Sequence, residues 1–336
     1  MNLSSASPTC SVGSQRHAIV VGAYGQDGRL LCAELEKHHY KVTRIGRTTI
    51  CSGEDPARPF DIRDALAVDQ LVGSIAPHEI YYLAAHHHSA EESTGDTAAL
   101  LKESFTVHCL CLVNFLSAMQ RQPSAPRLFY ASSSLVFGYP DETPQSENTP
   151  LRPVCAYGTT KLAGMNTCDV YRREHGMFCC SGILFNHESS YRSSQFITRK
   201  IVNGAVNIHL GLQNELTVGS LAAQADWGAA VDYVRAMHAI LSLSEPDNFV
   251  VATGELRSVR DFARVAFSAL GMKYEKYIRE KSDLVQRPIR RVPLVGDASK
   301  LTASTGWLPQ IGFEELVREM VQHELATRSY TQGNSD

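Results

Sequence analysis

Three glycines in the run Gly22-Ala-Tyr-Gly25-Gln-Asp-Gly28 follow directly on the apolar stretch His17-Ala-Ile-Val-Val21 and open a helical pattern, Arg29–His39. Glycine is needed where a chain turns sharply out of a buried strand and its backbone must approach a phosphate. A strand, a glycine turn and a helix in this order make the first unit of a dinucleotide-binding sheet. The alternation continues through the first half. Lys41–Ile45, Ile80–Leu83 and Leu128–Ala131 read as short parallel strands. Ala98–Met119 reads as a helix with Leu101, Phe105, His108, Leu112, Phe115 and Met119 on one stripe.

Short apolar strands separated by helices imply a parallel sheet covered on both faces. The expected fold class is therefore α/β: a Rossmann-type doubly wound parallel sheet, with a smaller mixed α/β substrate-binding region in the C-terminal half. Residues 1–16 read as a disordered tail, 17–185 as the cofactor-binding domain, 186–326 as the mainly substrate-binding region, and 327–336 as a second tail. In the second half, helices at Thr198–Leu210, Ala229–Leu243, Val259–Leu270 and Phe313–Glu324 alternate with strands at Glu215–Val218 and Phe249–Ala252. No linker separates the halves. Some segments of the second half are expected to return to the main sheet. The rest packs against the carboxyl ends of the parallel strands and closes a cleft there.

The charge balance excludes one class of partner. Lys and Arg total 32 against 35 Asp and Glu, a net charge of −3, whereas a chain that wraps nucleic acid carries a basic excess. No run of about 18 apolar residues is present, so no membrane partner is expected. Nine cysteines show no C-x-x-C pairing; they read as free thiols in a reducing, cytoplasmic setting, with no metal site.

The second strand ends Thr43-Arg44-Ile45-Gly46-Arg47-Thr48. An NAD site would place an acid there, on the ribose 2′-hydroxyl. Two arginines stand in its place, and a guanidinium suits a 2′-phosphate. The expected cofactor is NADP, with Arg47 as the anchor and Arg44 assisting. Farther on, Tyr157 and Lys161 lie four residues apart on one helical face. A nearby ammonium is expected to lower the tyrosine pKa, which equips the phenol to take a proton from an alcohol. Ala131-Ser-Ser-Ser-Leu-Val-Phe-Gly138 ends a strand and offers hydroxyls to hold the reacting oxygen.

These three features, in this order, resemble the extended short-chain dehydrogenase/reductases, and within them the GDP-mannose 4,6-dehydratase family over nearly the whole folded length. The segments that carry the narrower resemblance include Gly25-Gln-Asp-Gly28, Leu83-Ala-Ala85 with His88, Gly182-Ile-Leu-Phe-Asn-His-Glu-Ser189, Thr198-Arg-Lys200, Asp226-Trp-Gly228, Asp232-Tyr-Val234, Arg287-Pro288 and Gly306-Trp307. The resemblance implies catalysis by Ser133, Tyr157 and Lys161. It implies cofactor contacts at Gly22, Gly25, Gln26, Asp27, Gly28, Arg47, Asp61, Ile62, Leu83, Ala84, Ala85, Tyr157, Lys161, Leu184, Asn186 and His187. Substrate contacts are implied at His87, His88, Ser134, Leu135, Asn186, Glu188, Lys200, Arg287 and Arg290. It also implies a nucleotide-sugar substrate, most simply GDP-linked. A homodimer or homotetramer is implied as well, paired through the helix at about 98–119 and the helix that starts at Tyr157.

Departures from the family pattern shape the functional expectation. The family's strand end reads S-T-S-E, and its Glu removes the C5 proton during dehydration. Here Ser133 replaces the Thr and Leu135 replaces the Glu. The family's Q-S-H becomes His86-His87-His88, the Arg before D-W-G becomes Ala225, and the Glu after Arg-Pro becomes Arg290. A leucine cannot accept a proton, so the first expectation is a 4-epimerase acting through transient oxidation at C4. The alternatives are a 4,6-dehydratase with another base, Glu142 or a histidine among the candidates, and a 4-keto-sugar reductase. A non-catalytic NADP-binding sensor is disfavoured by the intact Ser133, Tyr157 and Lys161.

Overall fold

The computed structural model describes residues 15–53, 55–86, 96–281 and 292–333. The first half runs β1 (His17–Val21), α1 (Gln26–Lys37), β2 (Lys41–Ile45), β3 (Thr49–Ser52), β4 (Arg58–Pro59), α2 (Ala65–Ile75), β5 (Glu79–Tyr82), α3 (Thr97–Phe105), α4 (Cys111–Gln120), β6 (Arg127–Ala131), α5 (Ala156–His175) and β7 (Cys179–Leu184). The second half runs β8 (Asn186–Glu188), α6 (Ile197–His209), β9 (Leu216–Val218), β10 (Gln224–Ala229), α7 (Ala230–Leu241), β11 (Asn248–Val251), β12 (Leu256–Ser258), α8 (Val259–Ser268), β13 (Ile278–Glu280), α9 (Ser299–Thr305) and α10 (Phe313–Gly333).

The strands of the main sheet lie in the order β11-β7-β6-β5-β1-β2-β3-β4. From β11 to β2 all pairs are parallel, with Val21 beside both Ile45 and Tyr82. These strands are apolar throughout because helices cover both faces. One core lies under α2, α4 and α5 and includes Val68, Leu112, Phe115 and Met165; the other lies under α1 and α7 and includes Leu31, Leu35, Val234 and Met237. Beyond β2 the sheet departs from the all-parallel expectation. β3 and β4 add an antiparallel edge, with Ile45 opposite Ile50. That hairpin needs only a short turn, whereas another parallel strand would need a crossover helix.

The second half returns one strand to the main sheet: β11 pairs with β7, Val251 beside Leu184. Its remaining strands form a three-stranded sheet, β12-β10-β8, and a two-stranded one, β13-β9. A third core of α6, α8 and α10 residues, among them Val202, Phe262 and Val317, packs around Trp227. Ser258 and Asp261 make a capping box that starts α8. α10 continues through residues 327–333, which corrects the expected tail there. At the other end, Arg16 pairs with the buried carboxylate of Glu79, so residues 15–16 are held to the body rather than loose.

The 98–119 stripe also needs correction. α3 and α4 are joined by a wide π turn, Thr106–Leu110. Such a turn takes up an additional residue. The inward positions are His108 within it and Leu112, Phe115 and Met119 after it, but Ser104 before it, while Phe105 stays exposed. By length and composition, Thr97–Gln120 is apolar enough to cross a bilayer. Here it packs on the sheet, with Leu112, Phe115, Leu116 and Met119 fully buried.

Candidate functional site

The strand order reverses between β1 and β5, so the loops after these strands diverge and leave a crevice at their carboxyl ends. A cleft of about 1950 Å³ opens there. A drug-sized ligand fills roughly 300–1,000 Å³, so this one has room for two ligands. Gly22 (φ +91°) and Ala23 donate their amides to Ile45 O at 2.8 and 3.0 Å, which ties the glycine turn over the end of β2. A Cβ on Gly22 would lie 2.8 Å from Ala84 N, and one on Gly28 would lie 2.3 Å from Gly22 O. α1 starts at Gly25 with no side-chain cap. Its first-turn amides border the cleft and suit an anion. Nearby, Ser132 Oγ is buried and lacks a protein partner among the described residues.

Gln26 and Asp27 both line the cleft, and their side chains also brace its floor. His187 Nε2 lies 3.0 Å from both Asp27 oxygens, and its Nδ1 is 2.7 Å from Phe185 O. Gln26 Nε2 donates to His187 O at 3.0 Å, and Gln26 Oε1 accepts from Ser189 Oγ at 3.0 Å. The first glycine turn and the Asn186–Ser189 segment therefore hold each other. Burial alone would raise the Asp27 pKa. The His187 imidazole and the Arg192 guanidinium outweigh it and hold the carboxyl at about 2.

At the end of β2, Gly46, Arg47 and Thr48 line the cleft. Arg44 does not; it forms an ion pair with Glu36 of α1. The expected second anchor is thus committed elsewhere, because strand alternation sends Arg44 towards α1. Arg29, Arg58 and Arg63 line the cleft instead. Arg29 directly follows Gly28 in the first turn of α1. Its Nε donates to Tyr24 O at 2.9 Å. Asp61, Ile62, Leu83, Ala84, Ala85, Leu184 and Asn186 also border the cleft.

Ser133, Tyr157 and Lys161 converge on the same wall. Ser133 Oγ accepts from Leu135 N at 3.2 Å. Lys161, 1% exposed, donates from Nζ to Ala131 O at 2.8 Å, and that ammonium is 5.7 Å from the Tyr157 ring centre. The protonation energetics differ from the expectation. Burial pushes the Tyr157 phenol up, Asp27 adds to the rise, and Arg192 opposes it. Burial pushes Lys161 down to about 7. Desolvation is thus the largest effect on both groups. Ser134, Leu135 and Glu188 line the cleft, with Glu188 paired to Arg192 Nε at 2.8 Å. Lys200 is not among the lining residues: α6 reaches the cleft at Ile197 and carries Lys200 onward. Glu142 is exposed and away from the wall. His86 lines the cleft; His87, His88, Arg287 and Arg290 lie outside the described residues.

A glycine turn at a strand-order switch, with serine, tyrosine and lysine on the facing wall, defines an extended short-chain dehydrogenase/reductase. The family profile described as GDP-mannose 4,6 dehydratase matches residues 19–320, and the chain belongs to this family of nucleotide-sugar-modifying enzymes. It is 38% identical to GDP-mannose 4,6 dehydratase 2 of Arabidopsis thaliana, over 94% of this chain and 88% of that one. It is 31% identical to the GDP-mannose 4,6-dehydratase of Vibrio cholerae, over 93% and 94%. Among solved structures, RMD from Pseudomonas aeruginosa complexed with NADPH superposes with a TM-score of 0.79 at 20% identity, covering 93% of this chain and 100% of that one. UDP-glucose 4-epimerase from Bifidobacterium longum, in complex with NAD+ and UDP, gives 0.75 at 18% identity over 94% and 99%.

Proposed function

We propose that this chain is an NADP-dependent enzyme of the 4,6-dehydratase type, acting on a GDP-linked sugar by oxidation at C4, loss of water across C5–C6, and delivery of the hydride to C6 with a proton to C5. The observation that carries the reading is the convergence of Ser133, Tyr157 and Lys161 on one wall of a cleft large enough for a dinucleotide and a nucleotide sugar. The named relatives favour 4,6-dehydration over the epimerisation first expected from Leu135. NADP, when bound, supplies a hydride acceptor that can give the hydride back. The glycine turn and the start of α1 would hold its pyrophosphate, and Arg47 its 2′-phosphate. Ser133 Oγ orients the C4 hydroxyl of the sugar, and Tyr157 Oη takes its proton. Residues 186–326 mainly hold the nucleotide sugar. The free thiols among the described cysteines suit a reducing, cytoplasmic setting.

A second reading, 4-epimerisation, is favoured by Leu135, which gives this wall an isobutyl group in place of a carboxylate. Dehydration requires a base at C5, because water leaves C6 as the proton beside the 4-keto group is taken. The measurement is the product formed from a panel of GDP-sugars in deuterated water. A dehydratase yields a product lighter by one water and labelled at C5. Retained mass with an unlabelled C5 and an inverted C4 would establish the epimerase instead.

Arg47→Ala is expected to weaken NADP by roughly ten- to a hundredfold while NAD changes little, since one charge-assisted contact is lost. Fluorescence titration with both cofactors checks this, and equal losses would remove Arg47 from the 2′-phosphate. We also propose a homo-oligomer paired through α3, α4 and α5, where Phe105 (38% exposed), Leu110 (62%) and Val170 (38%) remain uncovered. Sedimentation at micromolar concentration should show a dimer or larger, and Leu110→Glu should shift it towards the monomer.

A further inference from the structure

His108 does not line the cleft, yet three parts of the site rest on it. It is completely buried, in the π turn between α3 and α4. Its ring packs edge-on against Tyr157, with centres 5.3 Å apart and planes at 85°. Its Nδ1 is 2.8 Å from Thr160 Oγ1. The Thr160 hydroxyl donates its one proton to a carbonyl of its own helix, Ala156 O at 3.0 Å or Tyr157 O at 3.1 Å. Oγ1 is therefore the acceptor, and Nδ1 carries the proton. The bare Nε2 accepts the His86 amide at 3.0 Å. His86 follows β5 by four residues, and Leu83, Ala84, Ala85 and His86 all border the cleft that Tyr157 also lines. A neutral imidazole in one tautomer thus joins that stretch to the first turns of α5.

We propose that His108 is a positioning residue for the reaction: it fixes the 83–86 stretch relative to Tyr157, and so sets where the reacting groups lie against the phenol. The proposal rests on the reading of Tyr157 as the acid–base group. The π turn supports it, because that turn places His108 on the inward face while Phe105, one turn earlier, points out. Reacting groups misplaced by a fraction of an ångström lose rate while still binding. Loss of His108 should therefore appear in kcat rather than in KM.

Two variants separate the parts. His108→Phe keeps the ring and removes both hydrogen bonds. His108→Gln keeps an acceptor near the Nε2 position. The Phe variant is expected to lower kcat about tenfold, leave KM for the nucleotide sugar within twofold, and speed hydrogen exchange at the His86 amide at least about tenfold. The Gln variant should restore much of both. Thr160→Val should lower kcat to a similar extent and add nothing on top of His108→Phe; together with the Gln variant it decides the matter should the Phe variant not fold. The proposal is overturned by a kcat within twofold of wild type in His108→Phe, by a loss confined to KM, or by no rescue from Gln. If the wild-type chain turns over no nucleotide sugar, the functional reading fails separately. The exchange measurement then decides the bridge: faster His86 exchange in the Phe variant supports it, and unchanged exchange overturns it.

Discussion

Tyr157→Phe is expected to lower turnover at least about a hundredfold while leaving the fold and cofactor affinity intact. In the proposed reaction the phenol moves the proton, and general acid–base groups typically contribute 10²–10⁴-fold. Phenylalanine keeps the ring that packs against His108, so thermal melting should barely change. Lys161→Met is expected to be as damaging to turnover but to raise stability at pH 7. Burial lowers the Lys161 pKa from 10.5 to about 7, so folding disfavours the charged form throughout the range below 10.5. Each pKa unit corresponds to about 1.4 kcal/mol, and the lost bond to Ala131 O is worth only about 1 kcal/mol. The stability gain should be full at pH 7 and below and shrink as pH rises towards 10. Steady-state rates and urea midpoints for the two variants check this; a Tyr157→Phe rate within threefold of wild type would move the chemistry to another group.

Gly28→Ala should abolish cofactor binding to within detection, a loss of at least about a hundredfold, and destabilise the fold by about 1–3 kcal/mol. The added Cβ would lie 2.3 Å from Gly22 O and 2.6 Å from Ala23 Cα. Both obstacles are backbone, so no side chain can rotate away, and α1 would have to tilt off the turn that its first amides border. Gly73→Ala in α2 is the control. The nearest atom there is 3.9 Å away, and replacing glycine in a helix is neutral or stabilising by up to about 1 kcal/mol. Cofactor titration and denaturant unfolding of both variants decide the point. Unchanged cofactor affinity in Gly28→Ala would show that the turn does not hold the pyrophosphate.

Much of this was legible in the sequence because it is local. The glycine turn, the apolar strand before it and the four-residue spacing of Tyr157 and Lys161 are each set by a few consecutive residues. Backbone sterics and helix periodicity act at that range. Resemblance to the family supplied the order of the remaining segments. The electrostatic details were not legible: Arg44 and Arg47 look equivalent along the chain, yet one turns to Glu36 of α1 and the other reaches the cleft.

What the sequence determined by itself was the kind of sheet, the place of the glycine turn and the pairing of Tyr157 with Lys161 on one helical face. The tertiary structure decided which groups hold that pair in place and which way their protons lean. Asp27 meets His187 across 160 residues, and His108 meets Thr160 across 52 and the His86 amide across 22. No periodicity encodes such meetings, because they follow from the crossover of helices over the sheet. The sign of the Tyr157 and Lys161 shifts has the same origin. Spacing places an ammonium near a phenol, but only packing sets how much water each one loses, and here desolvation is the larger effect.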